Sequence, residues 1–112
     1  RLRAEAEAIA ADLGLEIAFE QTGHFEPVAF DPGCLAAIRR AVARHGYSSM
    51  DLISGAGHDA CWINRVAPTA MIMTPCKDGL SHNEDESITQ EEAAAGTNVL
   101  LDAVVETAEI AP

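Results

Sequence analysis

Leu2, Ala6, Ile9 and Leu13 recur at three- and four-residue steps and are followed by Gly14. That spacing predicts an amphipathic helix over residues 1–13 that stops at the glycine. The period then changes. In "LEIAFEQ", Leu15, Ile17 and Phe19 alternate with Glu16, Ala18 and Glu20, the two-residue repeat of a strand with one buried face. "QTGHFEPVAFDPG", residues 21–33, has two prolines, two glycines and no period. It reads as a linker, with a domain boundary at residues 23–33.

Helical spacing returns in "CLAAIRRAVARHG", where Leu35, Ile38 and Val42 face inward, Arg39, Arg40 and Arg44 face outward, and Gly46 closes the segment. "HDACWINRVA" predicts a further helix ended by Pro68, and "TAMIMT" a short buried strand before Pro75. Thr89 and Glu92 have the spacing of a capping box, in which hydroxyl and carboxylate each satisfy a free backbone N–H. Ala93, Leu100, Ala103, Val104 and Ala108 follow on one face, so a last helix is expected to about residue 108. The order α-β-linker-α-α-β-α implies an α/β (α+β) fold, with no internal repeat.

Composition narrows the function classes. A net charge of −11 over 112 residues argues against a nucleic-acid partner and against anionic membrane surfaces, since both call for clustered Lys and Arg. No apolar run has the length of a membrane span, and "RLRAEAEAIAADLG" is too rich in alanine and glutamate for a signal peptide. The chain starts without methionine, inside a helical pattern, as a piece of something longer would. Cys34, Cys61 and Cys76 are odd in number and lack CxxC spacing, which points to reduced structural thiols in a cytoplasmic protein.

Two stretches could carry chemistry. "SGAGHDA", Ser54–Ala60, is a glycine-rich turn at the start of a predicted helix. Gly55 and Gly57 permit close backbone approach and unusual φ values, and a helix N-terminus directs free N–H groups toward an anion. Plain packing accounts for such a turn equally well. His58 is either a polar group in that pocket or a histidine bonded to fix the loop, while Asp59 fits a first-turn residue favoured by the helix dipole. The second stretch is "KDGLSHNEDES", Lys77–Ser87, where His82 is followed closely by Glu84, Asp85 and Glu86. A loop histidine after a strand stands where α/β proteins assemble sites. Imidazole suits zinc, manganese, cobalt or nickel. A complete site needs three or more protein ligands, and the chain has no HxxxH or HxH pair. His24 lies in the linker, and His45 is explained by its helix end.

"SGAGHDA" and "MIMTPCKDGLSHNEDES", in this order, resemble the two C-terminal signatures of the hydantoinase/carbamoylase family of amidases. "TQEEAAAGTNVLLDAV" is similar to the family's closing helix, so the likeness covers most of residues 27–108. Cys61 and Trp62 depart from the smaller or aliphatic residues usual there, as does "MIMT" from the common "MIFV".

The resemblance implies a fragment of a longer metallohydrolase that cleaves the carbamoyl or ureido C–N bond of N-carbamoyl-L-amino acids and related ureido acids. Residues 1–22 would be the last helix and strand of a ferredoxin-like dimerisation lid. Residues 34–112 would be the C-terminal part of a zinc-peptidase-like catalytic domain. His82 would be a protein ligand of a two-metal centre, zinc first among the candidate ions. Gly55, Ala56, Gly57 and His58 would meet the substrate carboxylate. The remaining ligands and the general base belong to positions this chain lacks, so the fragment alone is expected to be inactive. The full protein is expected to be a homodimer. The alternative is a non-catalytic binding or oligomerisation module derived from the same fold.

Overall fold

Two helices carry the packing, and each is specified at its ends. In the computed structural model, which describes residues 1–108, α2 runs from Pro32 to His45. Asp31 caps it: its Oδ1 accepts the Cys34 N–H at 2.8 Å, and Pro32 takes the first helical position, where a missing N–H costs nothing. The helix therefore starts two residues before the predicted Cys34, and Pro32 and Gly33 leave the linker. Gly46 closes it at φ 67°, with Gly46 N–H to Ala43 O and Tyr47 N–H to Val42 O both at 3.2 Å. This is the paired-bond ending that favours glycine.

The other helix, Gln90–Thr107, starts as expected from the capping box. Thr89 Oγ1 accepts the Glu92 N–H at 3.2 Å, and Glu92 Oε2 accepts the Thr89 N–H at 2.7 Å. Numbered in chain order it is α4, since a five-residue α3 (Asp59–Ile63) intervenes. α3 is half the predicted "HDACWINRVA" segment; after Ile63 the chain continues in turns, with Arg65 N–H on Trp62 O and Val66 N–H on Ile63 O.

The core lies between α2 and α4. Ala37 and Ala41 pack against Val99 and Ala103, with Ile38, Val42 and Ile72 around them. Small side chains at the crossing let the two helices approach closely. Of the predicted apolar face of α4, Ala103 is buried, but Leu100 and Val104 are half exposed. Arg40 and Arg44 are exposed, as expected of an outward face, and their side chains also reach α4. Arg40 Nε donates to Glu106 Oε1 at 2.7 Å, and Arg44 lies 3.2 Å from Asp102 and 3.1 Å from Glu106. His45 Nε2 adds a contact to Asp102 Oδ2 at 3.1 Å, and its ring stacks on Tyr47. Arg40 above all, with Arg44, holds the Glu106 carboxyl below the usual carboxylate range.

α1 (Leu2–Asp12) forms where the periodicity placed it, and Gly14 at φ 66° ends it, with Gly14 N–H on Ala11 O at 3.1 Å and Leu15 N–H on Ala10 O at 2.8 Å. Its apolar face is not buried: Leu2 is 86% and Leu13 67% exposed, and α1 packs on no other helix among the described residues. The two predicted strands do not form; the described residues contain no strand at all. A strand exists only when a neighbour takes up its N–H and C=O groups. "LEIAFEQ" and "TAMIMT" find no such ladder here. A single backbone bond, Asp31 N–H to Thr69 O at 2.9 Å, ties the linker to the segment before Ile72 among the described residues. The described structure is thus mostly helical, with extents of 71 × 33 × 22 Å and a radius of gyration of 20.3 Å. A compact chain of this length has about 13 Å.

Candidate functional site

Three connections converge on one side of the α2–α4 pair. Arg39 on α2 donates to Asp51 at 2.6 Å and anchors the loop leading to Ser54–His58. Segment Ile72–Pro75 passes along α4, where Gly96 makes room for it: a Cβ at that position would lie 2.5 Å from Thr74 Cγ2. The loop after Pro75 is pinned at its neck by Lys77 N–H on Ser87 O at 2.8 Å. Together they enclose an open groove of about 720 Å³ lined by Leu52, His58, Met71–Cys76, Gly79, Ser81, His82 and Glu86, Ile72 excepted. The two candidate histidines, separate in the sequence, therefore share one concavity. A second groove of about 390 Å³ lies across the same Met73–Pro75 wall, between Val42, Tyr47 and α4. Its lining includes Tyr47, Glu91 and Glu92 but no histidine or cysteine; both candidate histidines belong to the first groove.

The glycine-rich turn does not behave as its glycines suggested. Neither Gly55 nor Gly57 has a left-handed φ, and a Cβ on either would meet nothing within 4 Å. Local backbone strain and packing in this chain do not require glycine there. What both positions retain is unobstructed backbone, the condition for close approach by another group. Among the described residues no hydrogen bond engages the N–H groups of Gly55 or Gly57. Ala56 N–H is taken: it donates to Ser54 Oγ at 3.2 Å, and the same Oγ lies 2.7 Å from His58 Nε2. His58 is half-buried. α3 is too short for a substantial dipole, so any anion here is held by individual N–H groups and the imidazole rather than by the helix.

His82 is exposed and its backbone is left-handed, φ 56°. Asp78 at φ 56° and Gly79 at φ 68° make the preceding 3-10 turn equally tight. The loop's own bonds bypass the ring, and of the neighbouring carboxylates Glu86 is the one that takes part. Glu86 Oε2 accepts the His82 backbone N–H at 2.9 Å, and Asn83 Oδ1 accepts the Asp85 N–H at 2.9 Å. Glu84, Asp85 and Glu86 are all exposed. The His82 ring itself makes no hydrogen bond among the described residues, so its nitrogens are available. Among those residues, however, no three His, Cys, Asp or Glu side chains come together as metal ligands. The ring fits the part of one ligand and no more.

The three cysteines are free thiols. Cys76 lines the groove, whereas Cys34 sits in the first turn of α2 with its thiol pushed up by burial and, next, by the Asp31 carboxylate. Sequence reasoning missed Ser54, although a serine two residues before a turn amide is a recognised loop-bonding arrangement. It also missed the Glu86–His82 bond, which no spacing rule marks.

The model of peptidase family M20/M25/M40 matches residues 4–106. An N-carbamoyl-L-amino-acid amidohydrolase of Rhizobium meliloti is 57% identical over 110 residues, which is 98% of this chain and 26% of that protein. An allantoate amidohydrolase of Bacillus subtilis (strain 168) is 32% identical over 89 residues, 80% of this chain and 22% of that one. Among solved structures, an amidase of the hydantoinase/carbamoylase family from Burkholderia multivorans superposes with a TM-score of 0.86 at 54% identity, covering 94% of this chain and 26% of its own. The chain thus spans about a quarter of the length of the curated relatives it matches. No helix among the described residues is long and apolar enough to cross a membrane.

Proposed function

The chain belongs to peptidase family M20/M25/M40 and stands with its hydantoinase/carbamoylase amidases, and from that premise we infer that it works as the C-terminal quarter of a metal-dependent amidohydrolase acting on N-carbamoyl-L-amino acids or related ureido acids. The observation that carries this reading is the shared groove: His58, beside the Gly55–Gly57 backbone, and His82 face one cavity although they come from two separate motifs. A ureido acid has two ends that need different partners. Its carboxylate suits free N–H groups and an imidazole donor, as at Gly55, Gly57 and His58. Its carbamoyl end would then extend toward His82.

In this reading His82 supplies one neutral nitrogen ligand, with zinc, manganese, cobalt or nickel as candidate ions, and positions outside this chain supply the rest. A divalent ion held there would supply Lewis-acid chemistry for a carbonyl and for an attacking water. Residues 1–22 would belong to a dimerisation lid and residues 34–112 to the catalytic domain. The isolation of α1 from the α2–α4 pair supports that division. A cytoplasmic homodimer follows from the same resemblance.

The test is His82→Ala in the protein at the length of its relatives. Loss of most bound metal and of N-carbamoyl-amino-acid hydrolysis is expected. Stoichiometric metal with normal turnover would defeat the reading and leave the non-catalytic assembly module standing.

A further inference from the structure

We propose that Ser54 is a positioning residue for His58, selecting the neutral tautomer that carries its proton on Nδ1, so that the ring presents a donor to the anionic end of the substrate. This rests on the ureido-acid reading above and adds to it a residue outside the groove lining.

The argument begins with one hydroxyl. Ser54 Oγ has one proton and two lone pairs. It accepts the Ala56 N–H at 3.2 Å and lies 2.7 Å from His58 Nε2, so a single oxygen clasps both sides of the Gly55–Gly57 turn. Two arrangements satisfy the short contact with a neutral ring. In one, Ser54 donates to Nε2 and the ring proton resides on Nδ1. In the other, Nε2–H donates to Oγ, which then accepts twice, while the hydroxyl proton has no partner among the described residues. The first uses the hydroxyl's proton and its acceptor capacity together. Ala56 N–H strengthens it, because a hydroxyl that accepts a hydrogen bond becomes a better donor.

The consequence concerns the other ring nitrogen. With Nε2 engaged, Nδ1 is the nitrogen left for a ligand, and in this tautomer it is a donor. A carboxylate can only accept. Without Ser54 the ring is free to rotate or to move its proton to Nε2, which would leave a lone pair on Nδ1 directed at the anion. Space is open where a Cβ would sit on Gly55 or Gly57, so no side chain from those two positions holds the ring.

Two measurements test this on the protein at its relatives' length. Nitrogen-15 spectra of the His58 ring at pH 8.5, where an imidazole is neutral, are expected to show Nδ1 protonated in the wild type and a shift of the proton toward Nε2 in Ser54→Ala. A wild-type ring protonated on Nε2 overturns the proposal, whether or not the variant folds. In kinetics, Ser54→Ala should raise KM for an N-carbamoyl-L-amino acid about two- to tenfold, the equivalent of one ordinary hydrogen bond. The turnover number should stay nearly constant, and Ser54→Thr should restore KM. An unchanged KM in Ser54→Ala, or a loss confined to kcat, also overturns it. Failure of the wild type to hydrolyse ureido acids would instead sink the functional reading, and the ring spectra would still decide the role of Ser54.

Discussion

Glu86 holds His82 by the backbone: its carboxylate accepts the His82 N–H at 2.9 Å and leaves the imidazole without a hydrogen bond among the described residues. The bond spans four residues and closes the loop around a left-handed histidine, φ 56°, a conformation that costs a non-glycine residue roughly 1 kcal/mol or more. Glu86 thus fixes where the ring starts from, with its own carboxylate engaged by the backbone and not by the ring.

With His82 as the metal ligand proposed above, Glu86→Ala should weaken metal binding in the protein at its relatives' length by roughly tenfold, the lower end of what loss of a ligand-orienting partner costs. Glu86→Gln keeps an oxygen acceptor and should stay close to wild type. Competition titration against a chelator reads both. An affinity unchanged in Glu86→Ala would show that the loop holds His82 without this bond.

The pairing of α2 with α4 predicts a pH response. Arg40 and Arg44 depress the Glu106 carboxyl, so its pairing is present above the unfolded carboxylate's ordinary pKa of 4.5 and is lost as pH falls through the lower folded value. Denaturation of wild type and Glu106→Gln should differ most at neutral pH, and the gap should narrow as pH falls below 4.5. A constant gap across that range would mean that Glu106 acts by packing alone.

Cys34 has the opposite shift. A helix N-terminus ordinarily favours a thiolate, yet here burial, then Asp31, raises the thiol, and the backbone bond that lowers it is the weakest influence. Alkylation of Cys34 at pH 8 should be slower than that of free cysteine. Asp31→Asn retains the helix cap, since asparagine caps as well as aspartate, while removing the charge. Faster alkylation in this variant is expected; an equal rate would assign the shift to burial only.

Much of the helical framework was legible because its signals are local. Gly14, Gly46 and the Thr89–Glu92 pair act within a few residues of themselves, and each ends or starts a helix as its chemistry requires. Asp31–Pro32 was an equally local signal, but two prolines and two glycines nearby masked it as linker. The strands were not legible in the same way. Their alternation is real, but a strand is completed by a neighbour that these residues do not provide. Long-range pairing escaped for a related reason: nothing in "RRAVARH" names Asp102 or Glu106 as its partner, some sixty positions on. His58 and His82 stood out in separate motifs, but that they line one groove is visible only in the fold. Ser54 and the Glu86–His82 bond depend on loop geometry that appears only on folding.

Gly96 and Thr74 connect that framework to the groove. A methyl on Gly96 would fall 2.5 Å from Thr74 Cγ2, too close for any real contact, so something must move. Alanine gains about 1 kcal/mol over glycine in a helix interior, whereas overpacking costs about 1–3 kcal/mol. Thr74 is β-branched and stiff at χ1, so it cannot swing aside freely, and overpacking should win. Gly96→Ala is expected to lower stability by up to about 2 kcal/mol and to shift the Met73–Pro75 wall shared by both grooves. Thr74→Ser removes the offending methyl. The double variant Gly96→Ala/Thr74→Ser should therefore recover the loss, and a double-mutant cycle in urea should show coupling well above the few tenths seen between independent sites. Additive effects, or a Gly96→Ala protein more stable than wild type, would mean that the wall yields without cost and that glycine is not what sets its distance from α4.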